Sequence, residues 1–108
     1  MISTANPDGY NELVDGVFLK TLTHGAQTHL TEVKLAKGAV IPEHNHPHEQ
    51  TGYLISGCLR FFSGDREEVA HPGDSWNLAS GFPHGAEALE DSVVVEVFSP
   101  VRKDYLSL

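Results

Sequence analysis

Three histidines, an acid and an amide fall within seven residues, the run "HNHPHEQ" from His44 to Gln50. Transition metals favour imidazole nitrogen, and carboxylate or amide oxygen serves as a harder supplement. In an extended strand residues i and i+2 point to the same face, so His44 and His46 project side by side, as one ion would require. Pro47 then breaks the ladder, and His48 need not follow them. The next apolar run offers another ligand at its start, Glu49 or Gln50, and His84 stands alone after the turn "ASGFP". By chemical type Glu49 is a better ligand than Gln50. His48 reads equally as a fourth imidazole or a surface neighbour. The same letters can also sit in a solvated loop with no function. His24, His29 and His71 read as surface or turn residues.

A second informative stretch is "SVVVEVFSPVRKDYL", Ser92 to Leu106. Val93, Val95 and Val97 share one face of a strand; Val94, Glu96 and Phe98 share the other. If the three valines fill the core, Glu96 faces water. If the other face turns inward, Glu96 and Phe98 enter the interior. Alternation alone leans to the first arrangement.

These residues need a scaffold that gathers them. Glycine and proline recur at short intervals, and between them lie apolar or alternating runs of strand length. The clearest are "GVFLKTL", "THLTEVKL", "TGYLIS", "CLRFF", "DSWNL" and "SVVVEVF". No window holds an i, i+3, i+4, i+7 pattern long enough for a core helix. "CLRFFSGDREEVA" reads as a hairpin turning at "SGD". Regularly spaced short strands define an all-β sandwich or barrel. The first dozen residues and the tail after Pro100 are expected to be irregular, with "VRKDYLSL" packed along the surface.

A chain of 108 residues makes one domain and buries roughly two-thirds of its unfolded surface. The net charge of −8 disfavours nucleic acid and anionic membranes, since both need a basic surface. A small anionic substrate remains open to it, given a local cation. The single cysteine, Cys58, precludes an intramolecular disulfide and suits a reducing, cytoplasmic compartment. The N-terminal residues contain neither a basic patch nor an apolar run, so no signal peptide or membrane span is expected.

The run from Gly38 to Gly57 resembles the first motif of the cupin superfamily: Gly, five residues, His-x-His, three or four residues, an acid, six residues, Gly. The acid position falls on Gln50, not Glu49. The run from Gly73 resembles the second motif, with Gly73, Gly81 and His84 in register and Ala79 and Ala88 replacing the usual Pro and Asn. The resemblance implies a double-stranded β-helix, a jelly-roll barrel with its core at about residues 16–99. It also implies a divalent metal (Zn, Ni, Mn or Fe) held by His44, His46, Gln50 and His84. With a neutral amide in place of the acid, the ion keeps its full 2+ charge and becomes a better anchor for an anion.

The string Glu96, Phe98, Pro100, Arg102, Asp104, Tyr105, Leu106 resembles the ending of small cupins of pectin and alginate degradation. Those enzymes convert 4,5-unsaturated monouronates into open-chain keto acids, and most have Asp where this chain has Glu96. The resemblance implies catalytic roles for Glu96 as proton shuttle, Arg102 as carboxylate partner and Phe98 as packing surface. Two other readings stand beside it: an Fe- or Mn-dependent cupin dioxygenase, and a non-catalytic cupin that binds metal or a small ligand. The latter predicts that Glu96 and Arg102 point away from the metal. Cupins of this size pair as homodimers, and exposed strand edges give a physical motive.

Overall fold

Ten strands and one short helix follow the punctuation of the sequence: β1 (Asn11–Val14), β2 (Val17–His24), β3 (His29–Leu35), β4 (Val40–His44), β5 (Glu49–Ser56), β6 (Leu59–Ser63), β7 (Arg66–Ala70), β8 (Ser75–Leu78), β9 (His84–Ala88), β10 (Ser92–Ser99) and α1 (Lys103–Leu106). This computed structural model describes residues 1–108. Every pairing is antiparallel. One sheet has the order β1-β2-β3-β10-β5-β8 and the other β4-β9-β6-β7. No helix is long and apolar enough to cross a membrane.

The six-stranded sheet turns alternate residues inward. On β3 these are His29, Thr31, Val33 and Leu35; on β10 they are Ser92, Val94, Glu96 and Phe98. Cross-strand register stacks them in layers. Leu19, Val33, Val94 and Leu54 form an apolar layer, and Phe98, His29 and Gln50 form a polar one nearer the opposite end. Leu59, Ala70 and Ala88 close the apolar end from the second sheet, within one continuous core. Burying residues of this size stabilises the fold by about 1.5–3 kcal/mol each, so the apolar end carries the packing and the other end is free to be polar. Gly57 bends the chain between β5 and β6 at φ +98°; a Cβ there would lie 2.2 Å from Ser92 Oγ.

Three expectations change. Val93, Val95 and Val97 are only half-buried, on the outer face of β10, whereas Val94, Glu96 and Phe98 point inward. The layer partners decide the facing: each inward residue of β10 meets an inward residue of β3, which alternation within one strand cannot reveal. The tail is not a surface wrap either. After β10 the chain turns, α1 forms, Arg102 is buried and Tyr105 packs against the core. β1 also extends the six-stranded sheet upstream of residue 16.

Candidate metal and active site

A cavity of about 450 Å³ runs from the polar end of the barrel into its apolar interior, with His44, Gln50, His84, Glu96, Phe98 and Arg102 in its wall together with apolar residues such as Leu19, Val33 and Val94. His44 and His84 are cross-strand partners at the ends of β4 and β9. Their rings lie 4.6 Å apart, and that of His46 lies 5.5 Å from His44 and 5.1 Å from His84. One ring nitrogen from each falls within 4.8 Å of the others. His44 and His46 do not share one strand face as expected. β4 ends at His44, and His46 enters from the connection to β5, because the β4–β9 ladder stops at the His44–His84 pair, before Pro47 is reached.

All three imidazoles are oriented from behind. Nδ1 of His44 lies 2.8 Å from the carbonyl of Pro42, that of His84 lies 2.8 Å from Phe82, and that of His46 lies 2.9 Å from His48. A carbonyl can only accept, so each Nδ1 carries hydrogen and donates. Each neutral ring then keeps a lone pair on Nε2, the arrangement found behind metal-bound histidines. Burial lowers the pKa of His46 and His84, and the charge of Arg102 acts in the same direction, so both favour the neutral, ligating form.

Gln50 Oε1 stands 3.1 Å from His46 Nε2. Two lone-pair atoms this close need a cation beside them or a second proton on His46, which burial opposes. The donor set therefore fits a divalent ion: three imidazole nitrogens and one amide oxygen converge. Glu49 faces outward and accepts a hydrogen bond from Asn77 at 2.9 Å. His48 contributes its backbone carbonyl to His46, and its own Nδ1 is buried without a partner.

Glu96 is buried, and its Oε2 accepts hydrogen bonds from Gln50 Nε2 and from Trp76 Nε1 at 3.0 Å. Burial raises its pKa, opposed by those two N–H groups and by the charge of Arg102. Arg102 donates from Nε and Nη2 to Asp104 at 3.1 and 2.8 Å, and its guanidinium stacks 3.8 Å from the Tyr105 ring. Nη1 is buried with no partner. Asp104 thus occupies the Nε–Nη2 edge of the guanidinium, and Nη1 is left free towards the cavity. Phe98 is buried, with ring contacts to His46, His29 and Tyr105.

His29 also departs from expectation. It is wholly buried, not solvated. Its Nδ1 accepts the backbone N–H of Arg102 at 3.2 Å, so Nε2 carries the hydrogen and donates to Thr21 Oγ1 at 2.8 Å. His29 thereby pins the turn that aims Arg102 inward. The signal was available only as a histidine at an inward-alternating position of β3. Burial lowers its pKa, as do the charges of His24 and Arg102. Because its folded pKa is depressed, the stability from neutral His29 is complete above the unfolded value of 6.5 and is lost as pH falls below it. His29→Gln is expected to cost about 1–3 kcal/mol at pH 7.5. It should also reduce the further loss at pH 5.5, measured by urea unfolding of both proteins at both pH values.

An all-β barrel with a histidine cluster in its mouth defines a class, and the chain belongs to the cupin family: residues 31–99 match the cupin domain. More particularly, it is similar to the pectin degradation protein KdgF of Dickeya dadantii (strain 3937), with 31% identity over 99 residues, 90% of each chain. Among solved structures, KdgF from Halomonas sp. matches with a TM-score of 0.88 and 30% identity, covering 96% of this chain and 98% of that one. An RmlC-like cupin from Shewanella frigidimarina has the same TM-score at 23% identity, over 96% and 94%, and so shares the fold.

Proposed function

We propose that this protein is a metal-dependent enzyme that opens 4,5-unsaturated monouronates to open-chain keto acids, with His44, His46, Gln50 and His84 as metal ligands. The observation that carries the reading is the convergence of Glu96, Arg102 and the histidine cluster on one cavity. The similarity to KdgF supports the substrate class. A non-catalytic binder would leave Glu96 and Arg102 facing away, and both are instead buried in the cavity wall. A divalent ion (Zn, Ni, Mn or Fe) would supply Lewis-acid polarisation of substrate oxygens.

The chain's own residues account for the rest. The substrate is an enol ether closed as a hemiacetal. Glu96, as carboxylate, takes the proton of the anomeric hydroxyl at its free Oε1. The C1=O bond then forms as the bond from C1 to the ring oxygen breaks, and the ring oxygen becomes an enolate. Glu96 returns the proton to carbon 4 as the enolate collapses to the ketone, so the reaction is a net isomerisation. A carboxyl with a raised pKa suits both halves of that exchange. Arg102 Nη1 binds the uronate carboxylate, and Phe98 packs on the sugar and excludes water.

Incubating metal-loaded protein with an unsaturated monouronate tests the reading through the absorbance of the conjugated double bond. Loss of that absorbance without oxygen uptake supports it. Oxygen consumption by iron- or manganese-loaded protein would move the chain to the dioxygenase class. Arg102→Lys is expected to raise KM about tenfold or more and to change kcat less, because lysine cannot keep both the Asp104 pair and the substrate contact. A KM unchanged in the variant would remove Arg102 from the carboxylate site. The free edges of β1, β8, β4 and β7 support a homodimer in solution, readable by light scattering. The lone, partly buried Cys58 supports a cytoplasmic setting.

A further inference from the structure

Glu96, Gly52 and Trp76 lie on one rung across three strands: Glu96 on β10 faces Gly52 on β5, which faces Trp76 on β8. A Cβ at Gly52 would lie 2.1 Å from Trp76 Nε1. Any side chain there would displace the indole. With only hydrogen at that position, the ring lies across β5 and its N–H reaches Glu96 Oε2 at 3.0 Å. Phe61 supports the ring from the second sheet, with centroids 4.7 Å apart. Gln50 Nε2 donates to the same Glu96 oxygen, while Oε1 of Glu96 has no partner within the chain and Glu96 lines the cavity.

We propose that Trp76, seated in the space left by Gly52, is a positioning residue that fixes the Glu96 carboxylate and turns its Oε1 towards the bound substrate. This rests on the reading of Glu96 as the proton carrier. The final torsion of a glutamate is broad and nearly two-fold, so a buried carboxylate with one donor can swing about it. Two N–H groups on one oxygen, arriving from different strands, fix its plane. Gln50 alone supplies a single N–H to that oxygen, which leaves the torsion free. The indole is a donor only and cannot compete with the carboxylate for the proton in transit. Gly52 is therefore required by a neighbour's chemistry; its φ is not in the left-handed range that favours glycine.

The chain has one tryptophan, so 15N-labelled protein gives a single indole N–H resonance. In the wild type it should lie downfield and exchange slowly with solvent. In Glu96→Ala it should move upfield and exchange faster. A resonance unmoved in that variant would overturn the contact. Trp76→Phe keeps a ring against Phe61 and removes the N–H; kcat should fall about tenfold or more with KM within about twofold. Gly52→Ala should give the same split, and the double variant should be no worse than either single one by more than about twofold. A folded Trp76→Phe protein with unchanged kcat, or additive losses, would overturn the positioning role. Should Gly52→Ala not fold, Trp76→Phe and the indole resonance decide alone. If the wild type opens no monouronate, the functional reading fails, whereas the indole resonance still tests the clamp.

Discussion

Replacing Glu96 with glutamine is expected to lower turnover of an unsaturated monouronate by about 10²- to 10⁴-fold, the range for loss of a general acid–base group. The substitution preserves shape and lets the new amide oxygen accept from Gln50 and Trp76, so the barrel should remain folded. What it removes is the proposed capacity to take a proton from the anomeric hydroxyl and return it to carbon 4. Substrate binding should change little if, as proposed, the uronate carboxylate is held by Arg102, whose Nη1 is buried without a partner. Steady-state kinetics with circular dichroism and metal content in parallel check this. A variant retaining more than about a tenth of the wild-type kcat would end the assignment of Glu96 as proton carrier.

Replacing His84 with alanine is expected to weaken divalent-metal binding by more than about a hundredfold, beyond the range seen when a partner behind a ligand is lost. His84 is cross-strand to His44, and its Nδ1 is fixed on the Phe82 carbonyl. Its loss leaves His44, His46 and Gln50 with too few donors to compensate. His48→Ala should bind metal nearly as the wild type does, since residue 48 serves His46 through its backbone carbonyl. Calorimetric titration with Zn²⁺ and with Mn²⁺ compares the two variants. Equal losses in both would mean that His48 is a ligand and that the set of four is wrong. Monouronate turnover should follow metal occupancy in the His84→Ala protein.

Much of this was legible in the sequence because it is local. Glycine and proline spacing marked the strands, and the intervals from Gly38 to Gly57 and from Gly73 to His84 pointed to His44, His46 and His84, whose ring nitrogens lie within 4.8 Å of one another, and to Gln50 beside His46. Features that depend on which strands are neighbours were not legible. The inward face of β10 is set by its register with β3 and β5. Local alternation in "VVVEVF" favours burying the three valines, and only that register turns Glu96 and Phe98 inward instead. His29 looked like a turn residue because its partners, Thr21 and the backbone of Arg102, come from a neighbouring strand and from 73 positions away. The Trp76–Gly52–Glu96 rung was hidden for the same reason: a glycine inside a strand suggests a close approach, but not of what. Arg102 pointed to an anion, whereas its prior engagement by Asp104 needed the turn into α1 to be seen.

The most direct test is to run the reaction in D₂O with metal-loaded protein and follow substrate and product by proton NMR at early times. Conversion should be far faster than in a protein-free control, with one deuterium entering carbon 4 at a single one of its two hydrogen positions, as delivery by Glu96 from one fixed side of the cavity would require. No conversion beyond the control, or deuterium divided equally between the two positions, would contradict it.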